Sequence, residues 1–328
     1  MALKKYNKDL SFVKHGWTGN ELNDKGLFTN IYGDDVKGFR DVWRTLRNPS
    51  PLSKLKNGQQ SSLRWKTIED ISNKTQNAII PLGHASFIID INGIRLLIDP
   101  VIAPNRVMKR YTKVPFHVPD LNNVDYLLLS HNHRDHIDKK SIIQVCKHNP
   151  EAIILTGLEI GKQLRRWGIK NQIQEAGWYQ RFQTSEQIDI DFLPSHHWSR
   201  RWLTDTNINL WGSFMLQDKI SGKNIYFSSD SGYQAHFKGI GKDYNIHVAM
   251  IGVGAYEPQW FMGSAHTSPT DALKAFKDLR AKQWIPMHYG TFDLSQEPIF
   301  YPEKVLKEQH RDELDRILWM SIGDRVTF

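Results

Sequence analysis

Four potential metal ligands are crowded into six consecutive residues of the chain. Residues 131–136 read His-Asn-His-Arg-Asp-His and supply His131, His133, Asp135 and His136. Neutral imidazole and carboxylate groups are ligands that zinc and neighbouring divalent metals favour. Histidines two positions apart point the same way on extended backbone. The motif therefore predicts a metal centre, and a histidine-rich surface loop is the alternative interpretation.

A metal ion takes four or more ligands, so others must come from elsewhere in the chain. Three downstream segments offer them, each just after an apolar run typical of a strand: 194–198 (PSHHW), 228–233 (SSDSGY) and 287–290 (MHYG). Strands that end at one rim can bring such distant side chains together. The first segment offers both His196 and His197, and we favour His197 because Trp198 follows it.

The elements that must position these residues are predicted from about residue 77 onward. Strands are predicted over 78–81, 86–91, 94–98, 125–129, 152–156, 187–193, 209–216, 224–228, 248–253 and 284–287. Helices are predicted over 139–147, 158–167, 269–279 and 302–310. Asn92-Gly93 indicates a tight hairpin, and Ser268 before Pro269 indicates a capped helix start. This interleaving predicts an α/β (α+β) fold with mixed sheets inside and helices outside.

Residues 1–75 differ from the rest because they are polar and rich in turn-forming residues. One short helix is predicted near 36–46, and the scattered aromatic residues favour packing against the body of the protein. We therefore predict an N-terminal extension over 1–75 and a catalytic domain over 76–328.

Composition excludes several classes of protein. The chain has 328 residues and a single cysteine, Cys146, which excludes an intramolecular disulfide and a cysteine-rich zinc ribbon. It has no apolar run near 18 residues and no apolar signal-peptide core at its N-terminus, so a cytoplasmic protein, peripheral on a membrane at most, is expected. The net charge, 43 − 35 = +8, favours anionic partners without choosing among them.

The motifs resemble the metallo-β-lactamase superfamily and, within it, the N-acyl-phosphatidylethanolamine-hydrolysing phospholipase D family. The resemblance extends over roughly residues 77–300. It is carried by 82–86 (LGHAS), 98–100 (IDP), 130–138 (SHNHRDHID), 197–198 (HW), 210–213 (LWGS), 254–262 (GAYEPQWFM) and 288–292 (HYGTF). The block 254–262 is the most specific, because the superfamily at large lacks it. The resemblance implies an αβ/βα four-layer sandwich.

The resemblance also implies two zinc ions per chain, held by seven side chains. One ion would be held by His131, His133 and His197, the other by Asp135, His136 and His288, with Asp230 bridging both. A hydroxide between the ions would attack phosphorus in line, which makes the carboxylates of Asp135 and Asp230 part of the catalytic machinery.

Further roles follow from the same resemblance. His266 would contact the phosphate or the leaving group, and Arg201 would pair with the anionic diester. Trp260 would line an acyl pocket, with a place in the core as the alternative. Asp99 would orient a ligand histidine from behind the metal. His84 would do the same or be a satisfied buried histidine.

The implied function is zinc-dependent hydrolysis of N-acyl-phosphatidylethanolamine-like phospholipids to N-acylethanolamine and phosphatidic acid. The partners are then a phospholipid or another phosphodiester and, through the scattered cations, a membrane surface. The family also suggests a homodimer. The alternatives are a hydrolase of the same fold that acts on a cyclic phosphodiester, a lactone or a nucleic acid, and a non-enzymatic binding protein. The absence of a large insertion to grip RNA disfavours nucleic acid.

Overall fold

The computed structural model describes residues 3–34, 37–74, 76–104, 108–309 and 311–328. Its helices are α1 (Phe39–Arg47), α2 (Lys139–His148), α3 (Ile160–Arg166), α4 (His236–Asp243), α5 (Gln259–Met262), α6 (Pro269–Leu279) and α7 (Tyr301–Gln309). In this described part of the chain, no helix has the length and apolar character needed to cross a bilayer.

Most of the strands belong to two mixed sheets. The first has the order β15 (Val326–Thr327), β3 (Ala78–Gly83), β4 (Ser86–Ile91), β5 (Ile94–Ile98), β6 (Tyr126–Leu129), β7 (Ile153–Gly157) and β8 (Ile173–Ala176). The second has the order β14 (Gln283–Met287), β13 (Ile246–Gly252), β12 (Asn224–Phe227), β11 (Ser213–Asp218), β10 (Ile188–Leu193) and β9 (Gln180–Arg181). A separate pair joins β1 (Leu3–Lys5) to β2 (Asn20–Leu22).

The two sheets are packed between outer helices because their strands bury both faces. In the first sheet, Ile89 belongs to a core cluster with Phe214 of the second sheet, whereas its neighbour Ile88 belongs to a cluster with Ile142 of α2. On the second sheet, Phe276 of α6 joins the first of these clusters. Near-continuous apolar runs are typical of strands covered on both sides. The architecture is the predicted αβ/βα four-layer sandwich.

Local sequence signals placed several boundaries correctly. Asn92 and Gly93 form the β4–β5 turn with positive φ angles of 52° and 80°. The Ser268 side chain accepts a hydrogen bond from the backbone N–H of Asp271 and caps α6.

Other boundaries differ from the prediction. The helix predicted over 158–167 is shorter, Ile160–Arg166, and the strand predicted over 209–216 begins only at Ser213. Of the helix predicted over 302–310, His310 lies outside the described residues.

Helix α4 was missed because its sequence, HFKGIGKD, contains two glycines that argue against a helix. One of them has a packing reason. A Cβ at Gly241 would lie 2.3 Å from the backbone oxygen of Asp278, so only glycine lets α4 approach α6 so closely.

Residues 11–28 lie against the second sheet and the loops at its end. The backbone N–H of Val13 donates to the oxygen of Tyr179 (2.8 Å), and that of Arg181 donates to Ser11 (3.0 Å). Farther along, Phe28 donates to the oxygen of Asn207 (2.9 Å). This segment therefore reaches the loops that follow β10.

Candidate metal centre

The predicted metal ligands follow strands that run in one direction within each sheet. Residues 131–136 follow β6 in the first sheet, whereas His197, Asp230 and His288 follow β10, β12 and β14 in the second. Strands β12, β13 and β14 are parallel, and two antiparallel steps give β10 the same direction. The loops after these strands therefore share an edge, and their ligand atoms meet there.

Five described non-glycine residues in the loops at this edge have a left-handed backbone conformation. Left-handed φ angles occur at His84 (58°), Asp99 (39°), Ser229 (55°), Ala255 (62°) and His288 (64°). Such conformations cost non-glycine residues about 1–3 kcal/mol each and persist where the surrounding structure enforces them. Strain of this kind clusters at functional sites, which supports the assignment of this edge as the active region.

One group of candidate ligand atoms comes from three histidines and a carboxylate. The Nδ1 atom of His133 lies 3.0 Å from Nε2 of His131 and 3.1 Å from Nε2 of His197. Oδ2 of Asp230 lies 3.9 Å from both Nε2 atoms. Ligand atoms of the four residues all lie within 4.8 Å of one another, as around a single ion. His196 belongs to none of the ligand groups among the described residues.

A second group lies on the other side of Asp230. It consists of His84, Asp135, His136 and His288, again within 4.8 Å of one another. Oδ2 of Asp135 is 3.5 Å from Nε2 of His288 and 3.1 Å from Nε2 of His84. Asp230 reaches this group too, with Oδ1 3.1 Å from Nε2 of His288 and Oδ2 3.1 Å from Nε2 of His136. One carboxylate therefore faces both groups, and His84 lies closer to the ligands than its sequence indicated.

The site has buried polar atoms that lack partners within the protein. Both carboxylate oxygens of Asp230 and the Nε2 atoms of His136 and His288 are buried and make no hydrogen bond to any described residue. Burying such groups without a partner costs free energy. A divalent cation would satisfy them, and the imidazole and carboxylate groups are its usual ligands. The residues therefore fit a metal centre.

Burial and neighbouring charge set the protonation of the two groups differently. Burial lowers the pKa of His133 to about 4 and holds the pKa of His131 and His197 well below the usual value. Burial also acts to lower the pKa of His288, but the negative charge of Asp230 and the hydrogen bonds to Asp135 and Asp230 together outweigh it and raise that pKa to about 9. The three histidines of the first group are thus neutral at pH 7. His288 and His136, whose pKa the neighbouring carboxylates raise well above the usual value, are protonated in the metal-free protein.

This difference predicts that metal binding releases protons. His136 and His288 must each lose a proton to become ligands, so metal affinity at the second group should fall by about tenfold or more per pH unit below pH 9. Calorimetric titration in two buffers of different ionisation enthalpy should report release of about two protons per ion bound there. The release should fall to about one proton in His288→Ala, and buffer-independent heats in the unchanged protein would contradict the prediction.

Contacts behind the ligands fix which ring nitrogen faces the metal. Nδ1 of His136 donates to Oδ2 of Asp99 (2.8 Å), and the backbone N–H of Ser130 donates to Oδ1 (2.8 Å). Nδ1 of His197 donates to the backbone oxygen of Ala265 (2.9 Å). In both histidines Nε2 is left for the metal. Asp99 therefore lies where it can orient the His136 ring, and its effect on metal binding stays a prediction.

The N-terminal segment contributes a support that sequence reasoning missed. The backbone N–H of His197 donates to Oδ1 of Asn30 (3.2 Å), and Nδ2 of Asn30 donates to the backbone oxygen of His197 (2.8 Å). This two-way pairing clamps a ligand residue from 167 positions away. A lone asparagine in a turn-rich segment gives no signal of such a contact.

Asn30→Ala is expected to weaken metal binding at the first group by about tenfold, because outer contacts of this kind orient metal ligands. The measurement is the dissociation constant for Zn²⁺ by competition with a chelating dye. Asn23→Ala is the matched control, since Asn23 caps a turn within the same segment. Equal affinities in the two variants would contradict the assigned role.

The predicted substrate residues lie at different distances from the ligands. Nδ1 of His266 is 3.7 Å from Oδ2 of Asp230, so His266 borders the centre, and burial lowers its pKa to about 4. Nη1 of Arg201 donates to the backbone oxygens of Ile137 (2.7 Å) and Asn132 (3.2 Å). Arg201 therefore braces the ligand loop, and contact of its other nitrogens with a phosphate stays a prediction.

Trp260 lies on α5 and is exposed, with the Arg44 guanidinium 4.5 Å from its ring centroid. The block that precedes α5 is held by Glu297, a buried residue that the sequence did not single out. Its carboxylate accepts hydrogen bonds from the backbone N–H groups of Ala255 (2.6 Å) and Glu257 (3.0 Å). Glu297 therefore fixes the segment that leads to Trp260.

Comparisons with known proteins show the superfamily and the family to which the chain belongs. Residues 94–289 match the model of the beta-lactamase superfamily domain. The chain is 31% identical over 321 residues to "N-acyl-phosphatidylethanolamine-hydrolyzing phospholipase D 1" of Caenorhabditis elegans, covering 92% of this chain and 89% of the relative. It is 31% identical over 210 residues to a metal-dependent hydrolase of Ligilactobacillus salivarius, covering 64% and 84%.

Among solved structures, the chain resembles Igni18, a metallo hydrolase of Ignicoccus hospitalis, with a TM-score of 0.60. The sequence identity is 23%, and the match covers 77% of this chain and 99% of the other. At this identity the likeness shows the fold.

Proposed function

Because the chain belongs to the beta-lactamase superfamily and, within it, to the family of N-acyl-phosphatidylethanolamine-hydrolysing phospholipases D, we propose that it is a phospholipase D-type phosphodiesterase. Water attacks the phosphorus of an N-acyl-phosphatidylethanolamine-like lipid, and the bond from phosphorus to the ethanolamine oxygen breaks. The products are phosphatidic acid, which keeps the oxygen of the attacking water, and an N-acylethanolamine, which takes the proton.

The observation that carries this proposal is the position of Asp230 between the two ligand groups. Its Oδ1 faces His288 and its Oδ2 faces His136 and the first group, as expected for a carboxylate shared by two ions. We propose zinc for both positions because imidazole and carboxylate groups are ligands that zinc accepts. When bound, the two ions supply activation of the attacking water and stabilisation of charge on the phosphate.

The protein residues around the centre prepare it for an anionic diester. Asp99, Ser130 and the oxygen of Ala265 hold the ligand histidines in one orientation. His266 is neutral at pH 7 because burial lowers its pKa, so its ring can donate a hydrogen bond to a phosphate oxygen or to the leaving oxygen. Trp260, at the end of the block fixed by Glu297, offers an aromatic wall to an acyl chain.

The test is hydrolysis of N-acyl-phosphatidylethanolamine by zinc-loaded protein in water enriched in ¹⁸O, with both products analysed by mass spectrometry. We expect one ¹⁸O atom in phosphatidic acid and none in the N-acylethanolamine. Asp230→Asn serves as the inactive control. No product from this lipid, or ¹⁸O in the N-acylethanolamine, would refute the proposed reaction.

A second candidate is a hydrolase of the same fold with a different substrate. It is favoured by the similarity to the metal-dependent hydrolase of Ligilactobacillus salivarius, whose description gives no substrate. Assays with bis-p-nitrophenyl phosphate, a lactone and a β-lactam separate these classes. Faster turnover of the lactone or the β-lactam than of bis-p-nitrophenyl phosphate and N-acyl-phosphatidylethanolamine would favour this second candidate.

A further inference from the structure

Three loops meet beside the first ligand group. The first loop, 194–198, follows β10 and carries His197, and the second loop, 228–233, follows β12 and carries Asp230. The third loop, 263–266, follows α5. Because His197 and Asp230 come from different loops, the spacing between these loops decides whether both side chains can serve one ion.

The first and second loops are joined by a two-way pairing at Ser231. The backbone N–H of His196 donates to Oγ of Ser231 (2.9 Å), and the backbone N–H of Gly232 donates to the oxygen of His196 (2.9 Å). Ser231 follows Asp230 in the chain, and His196 precedes His197. The pairing therefore fixes the spacing between the backbones that carry these two candidate ligands.

The third loop packs directly against this pairing. A Cβ at Gly232 would lie 2.1 Å from the backbone oxygen of Ser264, so the second and third loops lie closer than a residue with a side chain would allow. The next residue, Ala265, accepts the hydrogen bond from Nδ1 of His197. The three loops therefore form one packed unit around the pairing.

A buried histidine of helix α4 completes this unit. His236 is the first residue of α4 and is 2% exposed, and its Nε2 lies 3.2 Å from Oγ of Ser231. The Ser231 hydroxyl donates its single hydrogen to the oxygen of Gly232 (2.8 Å), so the ring is the donor in the contact with Ser231. Burial lowers the pKa of His236 to about 3, and the ring is therefore neutral at pH 7.

The contact with Ser231 is the feature that distinguishes His236 from an apolar core residue. Its Nδ1 is buried and makes no hydrogen bond to any described residue. The ring also packs against that of Phe237, with the centroids 4.1 Å apart, which an apolar side chain could do as well. A buried polar atom without a partner costs free energy, so the N–H donated to Ser231 is what the imidazole supplies at this place.

We propose that Ser231 and His236 are positioning residues of the metal centre. A hydroxyl group has one hydrogen and two acceptor sites, and all three are used at Ser231. The ring of His236 thereby holds the hydroxyl in the one orientation that accepts the N–H of His196, and this sets the spacing between His197 and Asp230. The inference rests on the metal centre of the proposed function and not on its lipid substrate.

The experiment titrates the intact metal-free chain with Co²⁺, because the visible absorption bands of Co²⁺ report the arrangement of its ligands. Ser231→Ala removes the hydroxyl, and His236→Leu removes the ring donor. Each variant should bind Co²⁺ at the first group about tenfold more weakly or worse, since contacts behind metal ligands change affinity by about 10–100-fold. Each should also show altered absorption bands.

Two further variants separate the hydrogen bonds from the packing. His236→Gln keeps an N–H donor near the place of Nε2, so it should regain most of the lost affinity and the original bands. The double variant Ser231→Ala/His236→Leu should bind Co²⁺ no more weakly than Ser231→Ala alone, because the two residues act through one hydrogen-bonded unit.

Ile240→Ala is the matched control. Ile240 lies on the same helix, is buried and belongs to the larger core cluster. Its truncation should lower the melting temperature at least as much as His236→Leu does, because it leaves a cavity in the core. Its Co²⁺ affinity and absorption bands should equal those of the unchanged chain.

Three results would overturn the inference. They are unchanged Co²⁺ affinity and bands in both Ser231→Ala and His236→Leu, equal losses in Ile240→Ala, which would make the effect one of general stability, and additive losses in the double variant. The proposed function fails separately, because a zinc-loaded chain that does not hydrolyse N-acyl-phosphatidylethanolamine would reject the lipid substrate and leave the Co²⁺ results unaffected.

Discussion

Replacing Asp230 by asparagine should lower the rate of phosphodiester hydrolysis by about 10³-fold or more, the largest effect of any single substitution in this chain. Asp230 is 3% exposed, and its two oxygens face ligand atoms of both groups. Burial acts to raise its pKa, but His136 and His288 outweigh burial and hold it well below the usual range, so the carboxylate is ionised. Asparagine keeps the shape and removes the negative charge and one acceptor oxygen.

The measurements are the initial rate with bis-p-nitrophenyl phosphate and the zinc content after dialysis. We expect both to fall in Asp230→Asn, because the substitution weakens both metal positions at once. Asp218→Asn is the matched control: Asp218 is also buried but lies at the opposite end of β11, where it accepts hydrogen bonds from Asn77 and Asn92. Full zinc content and activity in Asp230→Asn would exclude the bridging role.

The second large effect is expected for Asp99→Asn, which should lower metal affinity by about 10–100-fold and activity with it. Asp99 accepts the N–H of the His136 ring at Nδ1, so the carboxylate holds a proton on Nδ1 and leaves Nε2 for the metal once the proton on Nε2 is lost. An asparagine amide can instead donate to Nδ1. That bond stabilises the ring with its proton on Nε2, the atom that faces Asp230 and the metal.

Asp99→Asn should change the protonation of the His136 ring and little else in the structure. Asp99 has φ +39°, a left-handed conformation that asparagine accepts readily, and it is completely buried. The introduced asparagine can still accept the N–H of Ser130 through its amide oxygen. The check is nitrogen NMR of the His136 ring in the zinc-loaded protein, where fewer rings should carry the proton on Nδ1 and the metal on Nε2, together with weaker zinc binding. An unchanged tautomer with lost affinity would point to general disruption instead.

The sequence predicted the parts of the site that are local in the chain. Residues 131–136 carry their chemistry in one short segment, and Asp230 and His288 could be found because each follows an apolar strand. The same locality explains the success of the Asn92-Gly93 turn. In each case, a few neighbouring residues determine the structure.

The parts that could not be predicted depend on contacts between distant residues. Asn30 supports His197, and Glu297 supports the block that begins near Ala255, across 167 and 42 positions respectively. Nothing in the residues around Asn30 or Glu297 indicates these partners. The contacts of Arg201 could not be predicted for the same reason. Its hydrogen bonds to the backbone oxygens of Asn132 and Ile137 form only after the two sheets have brought the loops together.

We propose that this edge of the fold holds two metal ions that are needed for hydrolysis. The decisive experiment is metal analysis of the intact chain, loaded with zinc and dialysed, alongside the activity of the same samples. We predict two ions per chain, and about one in His197→Ala and in His288→Ala, which each lose a ligand of a different group. Full hydrolytic activity in a chain that retains less than one ion would contradict the claim.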